Sequence, residues 1–109
     1  MQAVLSNPKL TVVRPQGSLN AANALELERD LTAALRLDDS DGMLVNLANV
    51  ESMDSAGLMA LVSTLKQAQS INKRFSICCV SPALRIIFEL TQLDSVFEIL
   101  PDETALTSV

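Results

Sequence analysis

The chain has no histidine, tryptophan or tyrosine, and its 109 residues include only two cysteines, three glycines and eight lysines or arginines. Without histidine, neither a Ser-His nor a Cys-His nucleophile pair can be assembled, and the commonest nitrogen ligand for a metal is missing. Eight basic residues against thirteen acidic ones give a formal charge of −5. Lys73 and Arg74 form the one adjacent basic pair, so there is no positive stripe to neutralise a phosphate backbone and direct nucleic-acid binding is not expected. Long apolar runs are missing as well. Residues 77–80 and 96–100 fall far short of the roughly 20 needed to cross a bilayer, and the N-terminus has no charged segment followed by an apolar stretch. A cytoplasmic protein without membrane insertion is expected. Cys78 and Cys79 are adjacent within the run 77–80, where successive strand side chains face opposite sides. They are expected not to bridge, and in the absence of a C-x-x-C spacing they read as two small buried side chains of a central strand. No cofactor or metal is expected.

With 49% hydrophobic and 19% charged residues, a chain of this length can bury one core, so residues 1–109 read as a single soluble domain. There is no internal repeat and no low-complexity segment. Residues 10–13 form a short β-branched run closed by Pro15 and Gly17, which reads as strand then turn. From 20 to 37, Ala24, Leu27, Leu31, Ala34 and Leu35 recur at helical spacing, and Asn20 or Asn23 can cap the start. After the acidic turn 38–42, residues 43–47 are apolar except for Asn46, as expected for a strand covered on both faces. A second helix places Leu58, Leu61, Val62, Leu65 and Ala68 on one face and ends near Asn72, since asparagine tolerates the left-handed conformation. Residues 75–80 read as the next strand. Ser81 and Pro82 then read as cap and first residue of a helix whose buried side is Leu84, Ile87, Phe88 and Thr91. A strand at 96–100 and a weak terminal helix from Asp102 close the chain, and residues 3–5 are candidates for an extra edge strand.

The alternation of strand and helix predicts an α/β fold with a mostly parallel or mixed sheet of four to five strands, packed with about four helices. Loops leaving the carboxyl ends of such strands gather on one edge, which is expected to bring together residues 17–20, 51–55 and Ser81-Pro82.

Within that edge, 45–62 is the richest segment. An apolar strand ends, a short polar turn follows, and Asp54-Ser55-Ala56-Gly57 opens the second helix. A helix N-terminus has unpaired N–H groups and the positive end of the dipole, so a phosphate on Ser55 would be stabilised there. The plainer reading of Asp54 and Ser55 is N-capping, worth about 1 kcal/mol. Gly57 costs a helix about 1 kcal/mol relative to alanine, which points to close approach by a partner, or equally by the loop around Gly17. Met53, Leu58 and Met59 flank the serine as adaptable apolar contacts, and of Leu58 and Met59 only one is expected at the surface. A catalytic role for Ser55 would need a base, and Lys66, Lys73 and carboxylates are the candidates, without a Gly-x-Ser-x-Gly motif to support them.

Four features together resemble the STAS domain, and in particular its stand-alone anti-sigma factor antagonists. They are Gly17-Ser18-Leu19 before the first long helix, Met53-Asp54-Ser55-Ala56-Gly57-Leu58 at strand-turn-helix, Ile77-Cys78-Cys79-Val80 leading to Ser81-Pro82-Ala83, and Ile87-Phe88-Glu89-Leu90-Thr91 followed by Leu93. The resemblance implies a single STAS-type domain that acts as a non-enzymatic partner switch. Its unmodified form would bind an anti-sigma factor that is also a serine kinase, freeing the sigma factor. Phosphorylation at Ser55 would release it, and a PP2C-type phosphatase would reset it. Leu19, Asn20, Met53, Asp54, Gly57, Leu58, Met59, Ser81 and Pro82 would form the partner-binding surface, on a protein that is a monomer when free. Many members have an aspartate where this chain has Asn20, which keeps the hydrogen-bonding shape and removes a charge. Asn72-Lys73-Arg74 stands in place of a usual glycine. An unswitched STAS binding subunit or scaffold of a transporter or signalling complex is the alternative that the same fold implies.

Overall fold

The structure is a computed structural model that describes residues 10–37 and 40–106. The chain runs β1 (Leu10–Val13), β2 (Gln16–Leu19), α1 (Ala24–Leu35), β3 (Gly42–Asn46), β4 (Asn49–Met53), α2 (Ser55–Ser70), β5 (Arg74–Cys78), α3 (Pro82–Leu90), a 3-10 turn at Leu93–Ser95, β6 (Glu98–Leu100) and a second 3-10 turn at Glu103–Leu106. Four strands form one sheet in the order β1-β3-β5-β6, and β2 pairs with β4 in a separate sheet. All of these pairs are parallel. The α/β class is as expected, with three α-helices among the described residues instead of about four and six strands there divided between two sheets. The edge strand expected at 3–5 lies outside the described residues.

Two segments that read as turns are strands. Pro15 has no N–H to give a ladder, so β1 stops before it. The chain then continues extended as β2, where Gly17 at φ 79° makes a bulge before Ser18. The second break follows β3. The Asn46 Oδ1 accepts from the Ala48 N–H at 2.9 Å and the Leu47 carbonyl accepts from the Val50 N–H at 3.1 Å, and this tight turn redirects the chain into β4. Neither QGSL nor NVESM carries the run of β-branched or aromatic residues that marks a strand.

Helix ends show smaller differences. Helix α1 starts at Ala24 rather than near Asn20, because Asn20 and Asn23 build a turn between themselves. The Asn23 Oδ1 accepts from the Asn20 N–H at 3.0 Å, and the Asn20 Oδ1 accepts from the Ala22 N–H at 2.9 Å. Asn72 takes the left-handed conformation, φ 56°, two residues after α2, just past its C-cap Ile71. Ser81 caps α3 by accepting from the Leu84 N–H at 3.2 Å, with Pro82 in the first turn. Thr91 is exposed rather than on the buried side of α3, and its hydroxyl donates to the Ile87 carbonyl at the helix end. The final strand is shorter than 96–100, with Val96 exposed before it.

The cysteine pair also departs from the expected arrangement. Cys79 has φ 59°, a left-handed backbone that ends β5 at Cys78. Cys78 is fully buried, whereas Cys79 is half-buried and outside the strand.

Met43, Leu44 and Val45 are buried in succession along β3, so both faces of the main sheet are covered. Helices α1 and α2 pack side by side, contributing Leu31 and Leu35 from one and Leu61, Leu65 and Ala68 from the other to the core. Phe88 of α3 meets Phe97 edge-on at 5.5 Å, and Phe97 lies 6.0 Å from Phe75 of β5. Each such large apolar side chain contributes about 1.5–3 kcal/mol on burial.

At the edge of the main sheet, Arg74 grips Glu98 through Nε at 2.7 Å and Nη2 at 2.5 Å, and the Ser76 hydroxyl also donates to this carboxylate. The hydrogen bonds from Arg74, more than those from Ser76, hold Glu98 below the usual glutamate range against the opposing effect of burial. A carboxylate depressed in the folded state stabilises the fold above its unfolded value near 4.5 and loses that contribution as pH falls through the folded value. Urea midpoints of the parent should therefore fall on the acid side of pH 4.5, and Glu98→Gln should be less stable at neutral pH with a flatter acid limb. Parallel limbs for the two proteins would exclude this pair as a source of the acid sensitivity.

Candidate functional site

The short sheet of β2 and β4 sets up the edge that the sequence singles out. Its register pairs Leu19 with Met53, so the two strands end side by side. The Leu19 carbonyl accepts from the Asp54 N–H at 3.0 Å, which ties the end of β2 to the residue that caps α2. Asp54 is extended, and its Oδ1 accepts from the Gly57 N–H at 3.0 Å while its carbonyl accepts from the Leu58 N–H at 2.9 Å. This is a complete N-cap for a helix of 16 residues.

Because Asp54 does the capping, Ser55 does not. It is the first residue of α2, exposed, and its hydroxyl makes no side-chain hydrogen bond to any other described residue. It is therefore an open hydroxyl beside the first backbone N–H groups of the helix, with the acidic Asp54 adjacent and exposed Glu51 on β4.

Gly57 has a local explanation. A Cβ built there would sit 2.4 Å from the Leu19 carbonyl oxygen and 2.8 Å from the Leu19 Cβ. The close approach is thus to the end of β2, two residues past Gly17. Leu19, Met53 and Leu58 are likewise core side chains. Leu19, Met53 and Leu58 therefore support the edge from beneath rather than form its outer surface, and Gly57 contributes only backbone there. Of the two residues that follow Gly57, Leu58 is 6% exposed and Met59 is 52% exposed. Asn20 is half-buried with its side chain engaged in the turn before α1.

Asp54, Ser55 and Met59 are the members of the set that reach solvent here. Pro82 is exposed and Ser81 half-buried at the start of α3, which packs against β4. No hydrogen bond among the described residues joins Ser81 or Pro82 to the edge from Asn20 to Ser55. Within the expected meeting of 17–20 with 51–55, the Ser52 hydroxyl donates to the Ser18 hydroxyl at 2.9 Å and links β4 to β2, with the Asn23 Nδ2 donating to the Ser18 carbonyl at 2.7 Å. The particular pairing of these two hydroxyls follows from the β2–β4 register, which sets Ser18 opposite Ser52. Beside this edge, an open groove of about 480 Å³ lies between the β1–β2 link and α1, with Val13, Leu19 and Leu27 in its lining. Among the described residues, no group of three or more Cys, Asp or Glu side chains is arranged to hold a metal ion, and no helix is long and apolar enough to cross a membrane.

Fold and edge together define a small α/β domain of parallel strands that presents an unengaged serine on a capped helix N-terminus. The sequence model of the STAS domain matches residues 2–106, and the chain belongs to the STAS domain family. It is 36% identical over 91 residues to the anti-sigma-B factor antagonist of Staphylococcus aureus, covering 84% of this chain and 83% of that protein. Among solved structures, it resembles an anti-sigma factor antagonist from Mycobacterium paratuberculosis with a TM-score of 0.79 and 26% identity, over 97% of this chain and 92% of that one. The fold is also that of the Bacillus cell fate determinant SpoIIAA in its phosphorylated form, at a TM-score of 0.68 and 17% identity, over 96% of this chain and 94% of that one.

Alanine is the better helix former by about 1 kcal/mol, yet Gly57→Ala should destabilise the protein, on the order of 2 kcal/mol, because the added methyl meets backbone that cannot turn aside. Asp54→Ala should cost about 1 kcal/mol through loss of the cap. Denaturant midpoints measure both, and a stabilised Gly57→Ala variant would show that β2 and α2 do not meet this closely.

Proposed function

We propose that this chain is an anti-sigma factor antagonist whose partner choice is set by phosphorylation of Ser55, and that it works in the cytoplasm as a single domain, monomeric when free. The observation that carries the reading is the division of labour at the start of α2, where Asp54 supplies the cap and Ser55 is exposed and unengaged. A serine that served only as a cap would have its hydroxyl on a backbone N–H. The S. aureus relative and the M. paratuberculosis neighbour, both anti-sigma factor antagonists, support the same reading.

The physics of the switch follows from the surroundings. A phosphoserine carries about 1.5 to 2 negative charges near neutral pH. The helix N-terminus favours that charge, whereas the Asp54 carboxylate already occupies the Gly57 N–H and repels it. The phosphate is therefore directed outward, the fold changes little, and the partner experiences the difference. Met59, one turn along α2 and half-exposed, provides an apolar contact beside the serine, and a phosphate in such an interface brings a strongly hydrated, unpaired charge. A loss of about 1.4 kcal/mol lowers affinity tenfold. The partner in this reading is an anti-sigma factor that is also a serine kinase, and a PP2C-type phosphatase restores the unmodified state. Asn20, turned into its own Asx-type turn, would offer that kinase a hydrogen-bonding group without a charge. The protein in this reading catalyses nothing itself.

Incubation with ATP and a lysate of its own host should add one phosphate to the parent and none to Ser55→Ala, as read by intact mass. Ser55→Ala should keep its affinity for the cognate kinase and Ser55→Asp should lose at least about tenfold. Equal binding by parent and both variants, or no phosphate under conditions where the kinase modifies a control substrate, would replace this reading with an unswitched STAS binding subunit.

A further inference from the structure

The two thiols at the end of β5 are not explained by the partner switch. In an uninterrupted strand, adjacent side chains point to opposite faces. Here the left-handed backbone of Cys79, φ 59°, interrupts the strand between the two cysteines. Cys78 is inside the core, and Cys79 is half-buried on the link that leads to the Ser81 cap of α3. Both are free. We propose that Cys78 and Cys79 form a reversible thiol–disulfide pair, in which Cys79 is the accessible thiol that reacts with a low-molecular-weight disulfide and Cys78 is the buried thiol that closes a vicinal disulfide.

The chemistry balances in two exchanges. The Cys79 thiolate attacks one sulfur of R–S–S–R, the S–S bond breaks, and the released thiolate takes up the proton that Cys79 gave up. The Cys78 sulfur then attacks that of Cys79 and expels the second R–S⁻, which takes up the proton that Cys78 gives up. Two protein thiols are oxidised to one disulfide, and one small disulfide is reduced to two thiols. Burial, and after it hydrogen bonding with Cys79, pushes the Cys78 thiol up to about 12, so Cys78 stays protonated while Cys79 reacts first. Its adjacency to the mixed disulfide then makes the second exchange intramolecular.

Geometry also determines that the bridge is a switch and not a staple. Adjacent Cα atoms across a trans peptide are about 3.8 Å apart, closer than the usual disulfide spacing of about 4.4–6.8 Å. The ring is strained and readily reduced, which is the property of regulatory rather than structural disulfides. Closing it would act on the backbone where the Cys78 carbonyl accepts from the Leu47 N–H at 3.0 Å, three residues before the Ser81 cap.

The test uses the folded 109-residue chain treated with oxidised glutathione, quenched in acid, unfolded, alkylated with N-ethylmaleimide and weighed intact. The parent should lose the mass of two hydrogens, take up no maleimide and keep no glutathione, and dithiothreitol should restore both maleimide sites. Cys78→Ala should trap glutathione on Cys79, and Cys79→Ala should leave Cys78 unreacted. A stable glutathione adduct on the parent beside a free Cys78, a disulfide between two chains, or two unmodified thiols would overturn the proposal, and this parent reading stands even if a variant fails to fold. None of these readouts involves Ser55 or its kinase.

Discussion

The end of β2 presses on the start of α2, and the candidate edge depends on that contact. The Leu19 carbonyl receives the Asp54 N–H and lies where a Cβ on residue 57 would have to be. One hydrogen bond of this kind is worth about 1 kcal/mol net, so the effect is more geometric than energetic. With the carbonyl fixed, Asp54 is held extended, its carboxylate reaches the Gly57 N–H, and the helix can begin only at Ser55. The contact is in turn held by the core, since Leu19, Met53 and Leu58 on its inner side are all buried.

This arrangement separates two tasks that a sequence motif merges. In the stretch from Met53 to Met59, the residues facing inward determine where the helix starts, and those facing outward are available to something else. Gly57 belongs to the first group because it lacks a side chain, and Leu58 because its side chain is core. Asp54, Ser55 and Met59 belong to the second. A charge added to the outer group meets solvent and the helix dipole rather than the core, so the packing beneath it stays as it is. In a domain this small, where net stability is typically about 5–15 kcal/mol, that separation keeps a change at the surface from being felt in the core.

Cys79 shows the same relation of backbone to side chain elsewhere in the fold. Its left-handed conformation ends β5 and separates it from Cys78 in exposure although the two are adjacent in sequence. Strand alternation predicts two equivalent buried side chains there, and a single backbone angle makes them inequivalent. The Arg74–Glu98 pair at the other end of β5 links β5 to the parallel β6.

The sequence by itself determined the α/β class, the three long helices, the left-handed stop at Asn72, the Ser81-Pro82 start of α3 and the prominence of Ser55. Each of these rests on local chemistry, namely helical spacing of apolar residues, capping side chains and the conformational tolerance of asparagine or proline. Only the tertiary structure decided that β2 and β4 are strands, because QGSL and NVESM have little strand character alone and become strands by pairing with each other. It alone decided why residue 57 is glycine, since the close approach of partner and of neighbouring loop look the same from one chain segment. It also assigned Met59 to the surface and Leu58 to the core, because which side of a helix N-terminus is buried depends on what packs there, and here that is the end of a strand nearly forty residues earlier.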